Sequence, residues 1–274
     1  MTPAPCRIVL AVAFALLAAP SWATVGERVD VTVRGRAVAL TIYRPLKAPA
    51  AIKGTVIMGS GDVGWLGLAA SMAAFLSDEG YVVVGINIRR YLSVFTTRDS
   101  HLTPSVAPDD YAAIAAYLRA RDLLRPPVVV SGVSEGAALA VLAASTAASH
   151  AWITGVITMG LPDTAELAWR WSDFTTWLTK KDATEPSFAP KDFIASVSPV
   201  PLCMIQSTKD EYVTEAEYRE LMAAARPPKK LVLINASNHR FTDRLPDLHR
   251  EYLAALAWIL TESKPPAASL TNAR

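Results

Sequence analysis

Residues 127–136 read Pro-Val-Val-Val-Ser-Gly-Val-Ser-Glu-Gly. The β-branched run 128–130 is typical of a buried strand, and the small-residue run 137–148 is typical of a helix. Between them lies a G-x-S-x-G motif centred on Ser134, in the strand–turn–helix context that presents a nucleophilic serine above a sheet. The flanking glycines allow strand and helix to approach closely. The alternative is an ordinary strand-to-helix turn that contains a chance serine.

The rest of the chain alternates short apolar runs with helical patterns from residue 54 onward. The predicted strands are 55–58, 81–88, 128–131, 153–159, 202–206 and 231–234, and the predicted helices are 67–78, 108–123, 136–148, 214–225 and 245–261. This order predicts an α/β fold, with a mostly parallel central sheet and helices on both faces. Functional residues are then expected at the carboxyl ends of the strands.

A different pattern precedes this region. Apolar and polar residues alternate over 29–33 and again over 38–42, on either side of Arg34-Gly35-Arg36. Strict alternation indicates strands with one buried face, so these segments predict an antiparallel hairpin.

Residues 1–23 have the composition of a secretory signal peptide. Arg7 is their only charged residue, residues 8–19 are apolar, and small residues precede a predicted cut after Ala23. The alternative is an uncleaved N-terminal anchor. A cleaved leader predicts a periplasmic or secreted protein.

Residues 24–264 are predicted to form one domain, because the full sequence is 51% hydrophobic and this length is enough for a single large core. Within it, the aromatic-rich segment 163–198 shows no strand pattern and is predicted to be a small cap, or alternatively a packed connecting segment. Residues 265–274 are rich in Ala and predicted to be a disordered tail.

Composition excludes several classes of function. The 27 basic and 25 acidic residues leave a net charge of +2, which does not favour a nucleic-acid partner. The sequence has no metal-ligand cluster, phosphate-binding glycine loop or dinucleotide motif, so no cofactor or metal is predicted. Of two cysteines, Cys6 lies in the leader, and Cys203 is predicted to be a buried apolar residue.

A serine hydroxyl needs a base to take its proton and a carboxylate to orient that base. In this kind of fold the chain order is Ser, then Asp or Glu, then His, each after a strand. Asp210 follows the predicted strand 202–206, and His239 follows the predicted strand 231–234. Ser134, Asp210 and His239 are therefore the predicted catalytic residues.

Alternatives exist for each partner of the serine. Asp210 is also in a position to cap the next helix, His239 is also compatible with a surface loop, and Glu211 is a rival acid. Asp210 is preferred for its position directly after the strand.

The oxyanion that forms when a serine attacks an ester carbonyl is stabilised by two backbone N–H groups. The N–H of Glu135, at the start of a helix, is one candidate, and the N–H of Asp62 in the glycine-rich loop 58–65 is the other. The alternative is that this loop only turns a corner. Four residues are expected to contact substrate: Ser60, Gly61, Trp65 and Tyr91.

Four segments carry a resemblance to a known family: Gly-Ser-Gly-Asp-Val-Gly-Trp at 59–65, Val-Val-Gly-Ile-Asn at 83–87, Arg-Tyr at 90–91 and Thr-Pro at 103–104. The chain resembles the VirJ/AcvB-type bacterial virulence proteins from about residue 53 to 260. The resemblance implies an α/β-hydrolase fold, a periplasmic location and, for some members, hydrolysis of aminoacyl-phosphatidylglycerol. It also implies the family's catalytic roles for Ser134, Asp210 and His239.

The chain departs from the family around the nucleophile. The family usually has aromatic residues there, as in G-Y-S-F-G, where this chain has Val133 and Glu135. The triad is unaffected, but the departure concerns the residues nearest to a bound substrate.

The expected function is a periplasmic serine hydrolase that cleaves a carboxylic ester through an acyl-enzyme, with aminoacyl-phosphatidylglycerol as the substrate that the resemblance implies. The expected partner is a small-molecule or lipid ester, and a lipid substrate would bring the protein to a membrane surface. One alternative is a broad-specificity carboxylesterase or acyl-peptide hydrolase. Another is a non-catalytic binding or secretion-assisting protein with the same fold.

Overall fold

The computed structural model describes residues 26–46, 52–170 and 186–263. The predicted signal peptide (1–23), the predicted tail (265–274) and the middle of the predicted cap (171–185) lie outside the described residues. In the described part, no helix has the length and apolar character needed to cross a membrane.

Strands and helices alternate as the sequence predicts. The strands are β1 (Glu27–Val33), β2 (Arg36–Tyr43), β3 (Gly54–Gly59), β4 (Tyr81–Ile86), β5 (Val128–Val133), β6 (Gly155–Met159), β7 (Ala165–Glu166), β8 (Ser187–Phe188), β9 (Leu202–Ser207) and β10 (Lys229–Ile234). The helices are α1 (Leu68–Asp78), α2 (Ile88–Phe95), α3 (Ala107–Arg119), α4 (Glu135–Ala143), α5 (Ala147–His150), α6 (Lys191–Ile194), α7 (Glu215–Ala224) and α8 (Leu245–Glu262).

Two boundaries differ from the prediction for local reasons. The apolar run predicted as a strand to residue 88 stops at Ile86, because the Asn87 side chain accepts a hydrogen bond from the Arg90 N–H and caps α2. The predicted helix 136–148 is divided into α4 and α5, and the Thr146 side chain caps the second piece.

Eight strands form one sheet in the order β1-β2-β4-β3-β5-β6-β9-β10. The hairpin prediction is confirmed, since β1 and β2 pair antiparallel with Val33 opposite Arg36. β2 pairs antiparallel with β4, and all remaining pairs are parallel. The predicted mostly parallel sheet is therefore confirmed.

Helices cover both faces of this sheet. α2, α3, α4 and α7 pack on one face, and α1 and α8 pack on the other, which leaves the sheet between two apolar layers. Helix α4 is buried over its whole length from Gly136 to Ala143. Its small side chains allow it to lie close to the centre of the sheet.

Successive strands are added on opposite sides of β3. From β3 the chain moves to β4 on one side, and after α3 it returns to β5 on the other side. Such a switch point opens a crevice at the carboxyl ends of the two central strands. The loop with Asp62 and the turn with Ser134 follow these two strands.

The described flanks of the predicted cap pack on the domain. β7 and β8 form a small antiparallel pair, and the side chains of Phe188 and Ile194 are buried in the core. The guanidinium of Arg89 lies 4.1 Å from the ring centroid of Trp169.

Candidate active site

Ser134 occupies a strained turn between β5 and α4. Its backbone has φ 52° and ψ −119°, a positive-φ conformation that a residue with a side chain rarely adopts and that costs on the order of 1–3 kcal/mol. The turn is secured on both sides, since the Ser134 N–H donates to the Met159 carbonyl at 3.0 Å and the Ser134 carbonyl accepts from the N–H of Ala137 at 2.8 Å. This is the geometry that the G-x-S-x-G motif predicts.

Three glycines allow the backbones around this turn to touch. A Cβ added to Gly132 would lie 2.1 Å from the Gly136 carbonyl carbon, and a Cβ added to Gly136 would lie 2.4 Å from the Gly59 carbonyl carbon. Each clash is with backbone, which cannot move aside as a side-chain end can. The glycines thus bring the end of β3, the end of β5 and the start of α4 together.

We expect Gly136→Ala to lower the free energy of unfolding by about 1–3 kcal/mol, because the added methyl has no space and must displace β3 or α4. Denaturant unfolding measures this change. Gly61→Ala is the matched control, since its Cβ would lie 3.5 Å from the Ser134 Cβ, an ordinary contact distance. Equal stability of the two variants would contradict the close packing of the turn.

Asp210 and His239 form a buried pair. The His239 Nδ1–H donates to Asp210 Oδ2 at 2.6 Å, and the two side chains are only 8% and 1% exposed. The other carboxylate oxygen, Oδ1, accepts from the backbone N–H groups of Tyr212 and Val213 at 2.9 and 3.0 Å. With the proton on Nδ1, the Nε2 atom of His239 is left as a base.

The rival acid Glu211 has a different contact. Its Oε2 accepts from the backbone N–H of His239 at 2.7 Å and does not reach the ring. Asp210 therefore orients the imidazole, and Glu211 holds the loop that carries it. Both acidic residues contact His239, and only the structure separates their roles.

Met159 and Gly160 lie between the histidine and the serine. Met159 accepts the Ser134 N–H, and a Cβ on Gly160, the next residue, would lie 2.5 Å from the His239 Cε1 atom. Gly160 has φ 60°, so a side chain there would be strained as well as blocked. Within the described residues, His239 Nε2 is buried and has no hydrogen-bond partner. The base thus lies next to the serine turn with its acceptor atom unused.

Gly160 was not among the predicted site residues. Its sequence signal is a glycine directly after the predicted strand 153–159, the position from which the chain leaves the sheet. Contact with the histidine ring comes from a loop far away in the sequence, so the sequence does not reveal it.

The predicted oxyanion loop lies against the serine turn. The Cβ position of Gly61 is 3.5 Å from the Ser134 Cβ and 3.7 Å from the Val133 carbonyl oxygen. This contact brings the backbone of Asp62, the next residue, beside the start of α4. The side chain of Asp62 turns back on its own loop, where Oδ1 accepts from the Val63 N–H at 2.8 Å.

Two of the residues expected to contact substrate support this loop instead. The buried Ser60 hydroxyl donates to the Gly61 carbonyl at 3.0 Å and accepts from the Ile88 N–H at 3.1 Å. The Trp65 indole N–H donates to the Tyr43 hydroxyl at 3.0 Å. The structure gives both side chains a role in shaping the loop.

Tyr91 is not brought to the site. It is 1% exposed, and its hydroxyl donates to Asp110 Oδ2 at 2.5 Å. Arg34 donates to both oxygens of the same carboxylate, at 2.7 and 2.9 Å. The position of Tyr91 follows from α2, because a helix that begins at Ile88 turns this side chain into the core. Burial raises the pKa of the Tyr91 phenol well above its usual value.

Glu135, the residue after the serine, has its side chain close to the site. Burial and then the charge of Asp62 raise the pKa of its carboxyl, while its own N–H, the Ser134 hydroxyl and the Asp62 N–H act in the opposite direction. Its Oε2 atom is buried and, in the described part of the chain, has no hydrogen-bond partner.

No group of three or more His, Cys, Asp and Glu residues within 26–46, 52–170 and 186–263 is arranged to hold a metal ion. The prediction that Cys203 is buried is confirmed, and burial raises the pKa of its thiol to about 12.

The fold is that of the α/β hydrolases. Similar structures include a dienelactone hydrolase from Anabaena variabilis (TM-score 0.60, 16% identity, covering 87% of this chain and 98% of that chain) and a serine hydrolase without a lid from Xanthomonas campestris (0.57, 19%, 86% and 95%). A third is the esterase domain of a Rhodothermus marinus protein (0.57, 18%, 85% and 97%).

The match to a curated sequence relative covers a shorter part of the chain. The chain is 35% identical over 71 residues to YfhR of Escherichia coli K12, and the match spans 25% of each protein. The family model described as bacterial virulence protein (VirJ) matches residues 54–231, from the first parallel strand into the last. The chain therefore belongs to the VirJ family of bacterial virulence proteins, on an α/β-hydrolase fold.

Proposed function

We propose that the protein is a serine hydrolase that cleaves a carboxylic ester through an acyl-enzyme. The observation that carries this proposal is the position of the His239 imidazole beside the Ser134 turn. Asp210 orients this ring, and its buried Nε2 has no hydrogen-bond partner among the described residues. Ser134 is then the nucleophile, His239 the general base and Asp210 the residue that holds the tautomer.

The mechanism uses these groups in turn. His239 Nε2 takes the hydroxyl proton as Ser134 Oγ bonds to the ester carbon, and the N–H groups of Glu135 and Asp62 bind the resulting oxyanion. The intermediate collapses with loss of the alcohol, which receives the proton from His239. Water then hydrolyses the acyl-serine by the same sequence, and Asp210 stabilises the imidazolium in both halves.

The proposed substrate is aminoacyl-phosphatidylglycerol, and the proposed location is the periplasm. Family membership supports both. Large apolar side chains are also exposed near the site: Val63 in the predicted oxyanion loop is 46% exposed, and Leu66, the residue directly after that loop, is 67% exposed. Tyr212 is 69% exposed, and its ring centroid lies 5.4 Å from that of His239. Such a rim suits a lipid substrate at a membrane surface.

A fluorophosphonate probe tests the proposed chemistry, and an ester panel tests the substrate. We expect the probe to modify Ser134, as located by mass spectrometry of the tryptic peptides. We expect the kcat/KM for alanyl- or lysyl-phosphatidylglycerol to exceed that for a neutral p-nitrophenyl ester at least about tenfold, which corresponds to about 1.4 kcal/mol of transition-state selectivity. Absence of labelling would contradict the hydrolase, and preference for the neutral ester would contradict the lipid substrate alone.

A further inference from the structure

Glu135 is the only charged residue in the otherwise buried helix α4. A first-turn glutamate gains from the helix dipole while its carboxylate stays in water. Glu215 of α7 behaves in this way, since it is exposed and paired with Arg219. Glu135 differs, because its Oε2 atom is buried without a hydrogen-bond partner in the described part of the chain.

The surroundings of this carboxyl coincide with the proposed oxyanion site. The Cβ position of Gly61 is 4.0 Å from Glu135 Oε2 and 3.5 Å from the Ser134 Cβ, so the carboxyl lies between the loop after β3 and the serine turn. The groups that favour its ionised form are the Ser134 hydroxyl and the backbone N–H groups of Asp62 and Glu135 itself. The proposed mechanism assigns these two N–H groups to the oxyanion.

We propose that the Glu135 carboxyl occupies the oxyanion site of the free protein and that an ester carbonyl must displace it before Ser134 can attack. This inference rests on the proposed function. Glu135 is then a specificity-determining residue, because only esters whose binding compensates for the displacement enter the site.

The local balance of charge makes displacement feasible. Burial and then the charge of the nearby Asp62 carboxylate disfavour an ionised Glu135, whereas the Ser134 hydroxyl and the N–H groups of Glu135 and Asp62 favour it. Rotation of the side chain toward solvent restores hydration and releases the donors together. A carboxylate on the acyl group of a substrate would add a third negative charge, so anionic acyl groups are disfavoured.

Labelling kinetics with a small neutral fluorophosphonate test the proposal. We expect Glu135→Ala to label about ten- to hundredfold faster than the wild type, the range for loss of a charged hydrogen-bonding competitor. Glu135→Gln retains a neutral acceptor and should fall between the two. Glu215→Gln is the matched control, a first-turn glutamate of another helix, and should label at the wild-type rate.

The pH dependence of stability provides a second readout. The pKa of Glu135 is raised in the folded protein, so the wild type loses stability as the pH rises from the ordinary glutamate pKa through the raised one. Glu135→Gln lacks this loss. Its Tm should exceed that of the wild type at pH 8, and the difference should shrink as the pH falls to about 4. A Tm difference between Glu135→Gln and the wild type that does not depend on pH would contradict the burial of the Glu135 carboxyl.

The outcomes separate this proposal from the proposed function. Labelling of Ser134 in the wild type, with no acceleration in Glu135→Ala or Glu135→Gln, would overturn the displacement alone. Absence of labelling in every variant would overturn the hydrolase and, with it, the displacement.

Discussion

We expect replacement of Ser134 with alanine to abolish the proposed ester hydrolysis, with kcat reduced about 10⁴–10⁶-fold relative to the wild type. Alanine lacks the oxygen that bonds to the ester carbon, so no acyl-enzyme forms. The residual rate is that of a site which binds the ester beside His239 and two backbone donors. Steady-state hydrolysis and the loss of fluorophosphonate labelling measure the effect.

The fold should tolerate this change. Alanine at φ 52° has the same backbone strain as serine, and the turn is held by backbone bonds to Met159 and Ala137 that the substitution keeps. We expect a change in the free energy of unfolding of no more than about 0.5 kcal/mol. A Ser134→Ala protein that is folded and retains most of its activity would refute the proposed nucleophile.

We expect replacement of Asp210 with asparagine to lower kcat about 10⁴-fold. The amide oxygen fits at Oδ1, where it accepts from Tyr212 and Val213, so the amide NH₂ faces His239 Nδ1. That contact forces Nδ1 to accept and moves the ring proton to Nε2. The imidazole then has no lone pair for the serine proton, although its position is unchanged.

Glu211→Gln is the matched control for this variant. The amide oxygen of the introduced glutamine can still accept a hydrogen bond from the His239 backbone N–H, so the loop keeps its place. We therefore expect kcat to fall by less than about tenfold. Steady-state kcat of both variants at pH 8 gives the comparison. A larger loss in Glu211→Gln than in Asp210→Asn would assign the orienting role to Glu211.

The order of elements was predictable because it depends on local periodicity. Continuous apolar runs of four to eight residues indicate strands buried on both faces, and the observed β3, β5 and β9 lie within two residues of the predictions. Helix α2 is not predicted because its first residue, Ile88, continues the apolar run of β4, and the break between the two elements depends on the Asn87 cap.

Candidate residues that follow strand ends were predictable for a similar reason. Parallel strands deliver their carboxyl ends to one edge of the sheet, so Asp210 and His239 were expected near one another, and the structure places them 2.6 Å apart. The contact expected for Tyr91 depended on which side of a helix faces the core. The start of α2 sets that side, and the hydrogen bond from Tyr91 to Asp110, which Arg34 also binds, holds it there.

The sequence by itself determined the parallel sheet, the strained serine turn and the order of the three candidate catalytic residues, because each depends on neighbours along the chain. Only the tertiary structure decided which of Asp210 and Glu211 contacts the imidazole. It also placed the His239 ring against Gly160 and buried the Glu135 carboxyl beside Ser134. These contacts join loops from different strands. Their distances depend on how β3, β5, β6, β9 and β10 pack side by side, which no local pattern in the chain encodes.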